Sequence, residues 1–140
     1  MYRFIPLFIT ALTIFINDSV ISQPLWNGRI DAATYDSDQK CYYLFNGNEY
    51  ARHDFAKAGS AKFPRKLLGN WSGWPASWGN DSVDAVVYDS KKGVYYLFHK
   101  NEYVKHAFGE SSGPPKPITR WSGWPASWGS GNVDAVVYDS

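Results

Sequence analysis

The chain has 140 residues, with 14 basic and 13 acidic side chains. That near-neutral balance supplies no basic stripe or block of the kind that nucleic acid or an anionic membrane surface demands, and the length suits one small domain rather than two independent cores. Aromatic residues reach 18%, with seven Trp and ten Tyr, so the chain either packs a rigid aromatic core or presents aromatic faces to a ligand.

Residues 1–22 read as a secretory signal peptide. Met1, Tyr2 and Arg3 make a short positive start, Phe4 to Ile16 is almost wholly apolar, and Val20, Ile21 and Ser22 are small or tolerated before Gln23. The apolar run falls short of the roughly 20 residues that span a bilayer, and Asp18 closes it. The mature chain is therefore expected to be extracellular, with no membrane span after signal removal. Residues 23–29 form a short lead containing Pro24, Trp26 and Gly28.

The rest is repetitive. Val83 to Ser90 returns letter for letter from Val133 to Ser140, and Ile30 to Ser37 is a close variant. Asp31, Asp84 and Asp134 head these copies at intervals of about fifty residues, the size of one supersecondary unit. We divide the chain into repeat 1 (30–79), repeat 2 (80–129) and the start of a third repeat (130–140). In repeat 1, Ile30 to Tyr35 is a strand and Asp36, Ser37 and Asp38 supply turn chemistry. Cys41 to Phe45 is a second strand, and Asn46-Gly47 suits a two-residue hairpin turn. Glu49 to Phe55 alternates with a period of two and makes a third strand. Repeat 2 runs the same course through Val94 to Phe98, Glu102 to Phe108 and a weaker segment at Pro115 to Ile118; its hairpin, His99-Lys100, lacks glycine and is expected to place Asn101 at the positive-φ position. Each full repeat ends in the connector WSGWPASWG, Trp71 to Gly79 and Trp121 to Gly129, where Pro and Gly forbid a long helix.

Three clear strands, a weaker fourth and a Trp/Pro/Gly connector in about fifty residues fit a blade of an all-β propeller. The Asp-Ala start agrees, because innermost strands converge on a shared axis where small residues are tolerated. Cys41 is the sole cysteine, so no intramolecular disulfide can form; it is either a small buried hydrophobe, like its counterpart Val94, or one end of an intermolecular disulfide.

Taken in order, Asp84-Ala85, Tyr96-Leu97-Phe98, Glu102-Tyr103, Pro115-Lys116-Pro117-Ile118 and Trp121-Ser122-Gly123-Trp124-Pro125 resemble hemopexin-like repeats, and the first repeat matches almost as well. The resemblance covers Ile30 to Ser140. It implies a secreted four-bladed β-propeller without catalytic residues of its own, of which two full blades and the first strand of a third are present here. It also implies that inner-strand main-chain carbonyls hold calcium or another cation in the central channel, the positions being Asp31, Asp84 and Asp134 with Ala33, Val86 and Val136 two residues on; hard cations accept carbonyl oxygen readily. The alternative is that each Asp satisfies nearby backbone N–H groups. Stacked repeats need about three units to bury a core, so the chain is expected either to belong to a longer one or to complete its propeller by self-association.

His53 and His106 occupy equivalent repeat positions, which argues for a scaffold role, and heme is not expected on this segment alone. His99, at a hairpin tip, is a candidate ligand weighed against a solvated turn residue. Trp74 and Trp124 stand where the family pattern has an aliphatic residue, and Trp78 and Trp128 add further rings. Facing solvent, these rings would stack on sugars or an apolar partner; facing inward, they would wedge adjacent blades. Asn70 and Asn80 head Asn-x-Ser sequons and are candidate glycosylation sites. No glycine-flanked serine elbow, HExxH, phosphate loop or zinc-type cysteine spacing occurs, so an enzyme is not expected. These readings converge on a secreted, non-catalytic binding module for an ion, a small ligand of the heme or metal class, or an extracellular protein. The alternatives are an accessory segment of a larger secreted protease-like protein and a glycan-binding protein that uses the Trp connectors.

Overall fold

The computed structural model describes Trp26 and residues 29–54, 65–110 and 112–139. The proposed signal peptide lies outside these residues, as do most of the lead and Phe55. Two antiparallel four-stranded sheets follow one another in the sequence. The first contains β1 (Ala32–Asp36), β2 (Cys41–Asn46), β3 (Glu49–His53) and β4 (Arg65–Lys66); the second contains β5 (Ala85–Asp89), β6 (Val94–His99), β7 (Glu102–His106) and β8 (Lys116–Pro117). Both sheets keep sequence order from one edge to the other, so each is a meander, the layout of a propeller blade. Among the described residues there is no α-helix, only single 3₁₀ turns such as Ala76–Trp78 and Ala126–Trp128, and no helix is long and apolar enough to cross a membrane.

The two sheets share one register. Ala32 lies opposite Phe45 and Asp36 opposite Cys41; Ala85 lies opposite Phe98 and Asp89 opposite Val94. At the start of each inner strand one extra residue squeezes in, because the Asp31 and Asp84 amides also donate to the carbonyls of Phe45 and Phe98. Two residues opposing one is a β-bulge, which bends the strand and resets which edge its backbone groups face.

The hairpin turns differ from expectation by one residue. Asn46 still pairs with Glu49 and His99 with Glu102, so the turn residues are Gly47-Asn48 and Lys100-Asn101. The positive φ falls on Gly47 (52°) and on Lys100 (51°), not on Asn101. A left-handed lysine costs about 1–2 kcal/mol, and here the Asp84 carboxylate, which accepts the Lys100 amide, offsets it. The same shift draws His99 into the sheet as the last residue of β6, where it is 5% exposed. The solvated tip expected for His99 is therefore wrong: Lys100 takes the tip. Residues 130–139 form no ladder with either sheet; instead Val133, Val136 and Tyr138 pack by side chains against the second blade.

Candidate functional site

The junction between the blades is an aromatic seam. From blade 1 come Cys41, Tyr43, Phe45, Leu67, Trp71, Trp74 and Trp78; from blade 2 come Val86, Tyr88, Tyr95, Leu97 and Val104. This follows from the period of two: β2 sends Cys41, Tyr43 and Phe45 to one face, while β6 sends Tyr95 and Leu97 to the opposing one. Trp71 is the hub, with rings of Tyr43, Phe45, Tyr50, Tyr95, His106 and Phe108 between 5.0 and 5.7 Å away. Burial pushes the Tyr43 phenol up to about 12.

Polar groups lock the seam. The buried Asp36 accepts the amides of Asp38 and Gln39 on one oxygen and, on the other, the Gln39 side chain and the Tyr95 hydroxyl of the next blade. Tyr88 donates its amide to Thr34 Oγ1 at 3.0 Å and its hydroxyl to Asp38 at 2.6 Å. Burial first, and then these carboxylates, raise both phenol pKa values. His106 Nδ1 lies 2.8 Å from Ser112 Oγ, and desolvation lowers its pKa to about 4.

The inner strands meet in a cavity of about 360 Å³ lined by Ala33, Tyr35, Val86, Tyr88, Val136 and Tyr138, among others. Because the Tyr88 amide points across to Thr34 and not to β6, the backbone groups of Val86, two residues back on the same strand, face this free edge as well. By repeat equivalence Ala33 holds the same place in β1. The aspartates that head the inner strands are engaged elsewhere. Asp31 accepts the Gly47 amide at 2.7 Å and the Arg29 guanidinium at 2.8 Å, and the Gly47 amide above all holds its carboxyl below the usual range. Asp84 accepts the Lys100 amide, and Asp134 is exposed. Among the described residues no three His, Cys, Asp or Glu side chains gather as a metal cluster. A cation at the channel would therefore rest on carbonyls, a donor set that fits a hard ion and not a heme or a thiophilic metal.

The connector tryptophans fall into two environments. Trp74 is buried with its indole N–H on the Gly79 carbonyl at 2.8 Å, and Trp78 is 3% exposed with its N–H on Glu102 Oε2 of the next blade at 2.8 Å. These two are wedges, so Trp74 presents no face to a ligand. Trp124 makes the matching bond to Gly129 at 2.8 Å, but Trp128 is 64% exposed. Together with Phe98, Ile118, Trp121 and Val133 they line a groove of about 600 Å³. His99 stacks on Trp78 at 5.1 Å and sits 3.2 Å from Asp81, so it belongs to the seam. Asn70 and Asn80 are exposed, and Cys41 is buried, its thiol pKa raised chiefly by desolvation. The groove was not legible beforehand, because both connectors carry the same nine letters.

No family model matches the chain, and no curated protein matches it in sequence. Solved structures do resemble it. The hemopexin-fold protein CP4 from cow pea aligns at 26% identity and a TM-score of 0.56, over 71% of this chain and 47% of that one. A 2S albumin seed protein from Dolichos aligns at 26% and 0.53 over the same shares. A plant lectin with two metal binding sites from Cicer arietinum aligns at 22% and 0.57, over 73% and 48%, and speaks to fold alone. The chain thus spans about half the length of these structures, and its two sheets have the architecture of hemopexin-fold blades.

Proposed function

We propose that this chain is a secreted, non-catalytic hemopexin-like binding module, composed of repeats 30–79 and 80–129 and the start of a third at 130–140, which takes a hard cation such as calcium at the axis where its inner strands converge. The observation that carries the reading is the cavity shared by β1, β5 and residues 136–138, together with the Tyr88 amide that sets the phase of the free strand edge. The carbonyls of Ala33, Val86 and Val136 are the donors; Asp31 and Asp84 act one step back, by fixing the hairpins that hold the bulged inner strands in place. The cation would supply charge for the free carbonyl edges to share and would tie the blades at the axis. The hemopexin-fold and seed-albumin neighbours support a non-catalytic binding module. The exposed Asn70 and Asn80 fit glycosylation during secretion.

Terbium luminescence tests this directly, because Tyr35, Tyr88 and Tyr138 line the cavity and serve as sensitisers. Saturable terbium emission that calcium displaces, and that Val86→Pro or insertion of a residue after Ala33 abolishes, is the expected result. A linear, unsaturable signal rejects the cation site. A second reading, glycan binding, retains only the exposed Trp128 and its neighbour Trp124; saccharides that shift tryptophan emission in the wild type and not in Trp128→Ala would favour it.

A further inference from the structure

We propose that Asn46-Gly47, at the end of β2, is a site of spontaneous deamidation, and that the Asp31 carboxylate holds the reaction back in the folded chain. Two Asn-Gly pairs occur in the sequence; Asn27-Gly28 lies outside the described residues, and Asn46-Gly47 enters the first hairpin turn. Glycine has no Cβ to shield its backbone nitrogen, so the Gly47 nitrogen, on losing its proton, can attack Asn46 Cγ. The ring closes to a succinimide, and the side-chain nitrogen leaves as ammonia with a proton in place of the one removed. Water then opens the ring at one carbonyl or the other. The products are aspartate at position 46 and its β-linked isomer, whose main chain is one methylene longer. Water is the co-reactant, and nothing is oxidised or reduced. Asn48, Asn70, Asn80, Asn101 and Asn132 precede Glu, Trp, Asp, Glu and Val, side chains that hinder the same attack. None of this depends on the axial cation.

Both reacting groups are held in the fold. The Gly47 amide donates to Asp31 at 2.7 Å, and Asn46 Nδ2 donates to the Arg29 carbonyl at 3.2 Å. Asp31 opposes the first step twice over: its charge-assisted hydrogen bond must break, and an anion beside the nitrogen disfavours the amide anion that attacks. Asn46 and Gly47 are both partly exposed, so water reaches the pair and burial does not supply the protection. Repeat 2 shows the same clasp without the hazard. Asp84 accepts the Lys100 amide there, but His99 stands in place of Asn46 and has no side-chain amide to lose. Reaction at position 46 would undo what Asp31 holds. Aspartate there has no N–H for the Arg29 carbonyl. The β-linked isomer, with its longer main chain, would shift the Gly47 amide off Asp31 and the Asn48 carbonyl off the Leu67 amide, which it meets at 2.8 Å. Hairpin and bulged inner strand would loosen together, a one-way ageing mark on blade 1.

Peptide mapping by mass spectrometry during incubation at neutral pH, folded and in urea, tests the proposal together with amide hydrogen exchange. Conversion at Asn46 is expected to be at least about tenfold slower in the fold than in urea, the weight of a hydrogen bond to a charged group. Asp31→Ala should recover most of that difference, and Asp31→Asn, which keeps an oxygen acceptor without the charge, part of it. If Asp31→Ala melts below the incubation temperature, the wild type decides. Base-catalysed exchange removes the same Gly47 proton, so this amide must exchange several-fold more slowly, after correction for intrinsic rates, than that of Asn48, which has no acceptor among the described residues. No conversion at Asn46 in urea, equal rates in the fold and in urea, an unchanged rate in a folded Asp31→Ala, or a Gly47 amide that exchanges as fast as that of Asn48 would each overturn the proposal.

Discussion

The same nine-residue connector occurs in two settings. In the first, WSGWPASWG is covered by the next blade; in the second, among the described residues, it is met by the segment 130–139 and by no further blade. Local geometry is unchanged. In each, a 3₁₀ turn follows a proline near φ −65°, a glycine at φ 54° or 59° ends it, two indoles meet edge-on at 5.2 Å, and the first donates to a carbonyl at 2.8 Å. What changes is the second ring, 3% exposed at Trp78 and 64% at Trp128. The connector's shape is local, and its burial depends on the neighbour.

Paired substitutions sharpen this contrast. The largest effect is expected at the hub. Trp71→Ala should cost about 3–5 kcal/mol in urea denaturation, the range for large aromatic deletions in a packed core, and Trp121→Ala, half-buried among Tyr96, Phe98 and Tyr103, less than half of that. Equal costs would mean that the two junctions are equally packed.

Next comes pH. His106 is fully buried beside Trp71 and Ser112 and titrates near 4 in the fold, against about 6.5 in the unfolded chain. Between those values the unfolded state binds more protons, so stability rises with pH. The stabilisation is complete above about 6.5 and is lost as pH falls toward 4, by up to about 3 kcal/mol at the lower end. Denaturation midpoints across that window should flatten in His106→Gln; an unchanged slope in the variant would assign the loss to other groups.

A smaller difference separates two glycines of the connectors. Gly73 and Gly123 both have positive φ, 76° and 83°, so alanine strains either by about 1 kcal/mol. Only at Gly73 would the new methyl also collide, 2.2 Å from Ser112 Oγ and 2.7 Å from His106 Nδ1, whereas Gly123 faces open space. Gly73→Ala should therefore lower the thermal midpoint clearly more than Gly123→Ala. The smallest effect concerns one hydrogen bond. Trp78→Phe loses the bond to Glu102 and should cost about 0.5–1.5 kcal/mol, while Trp128→Phe should stay within about 0.5 kcal/mol.

Much of the blade was legible in the letters. Alternating apolar residues placed β2, β3, β6 and β7 to within a residue or two, because side chains that alternate across a sheet leave a period of two in the sequence. The aspartate heading each repeat was read as either an axial ligand or a backbone acceptor, and the carboxylates of Asp31 and Asp84 turn out to accept hairpin amides. The turn register was misread. Asn46-Gly47 is a good hairpin pair, yet the bulge and the aspartate acceptor shift the turn to Gly47-Asn48 and force Lys100 into a conformation that its own preferences oppose. That shift also hid His99, whose burial depends on the Trp78 ring across the seam.

By itself, the sequence determined the repeat, the strand pattern within it, the absence of a disulfide within the chain and the shape of the tryptophan connector, since each depends on residues near one another along the chain. Only the tertiary structure decided which tryptophans are wedges and which lie open, which histidine is buried, and that the free edges of the inner strands share one cavity. Those outcomes are set by residues some fifty positions away: identical letters acquire different environments when one face is covered by a blade and the other is not.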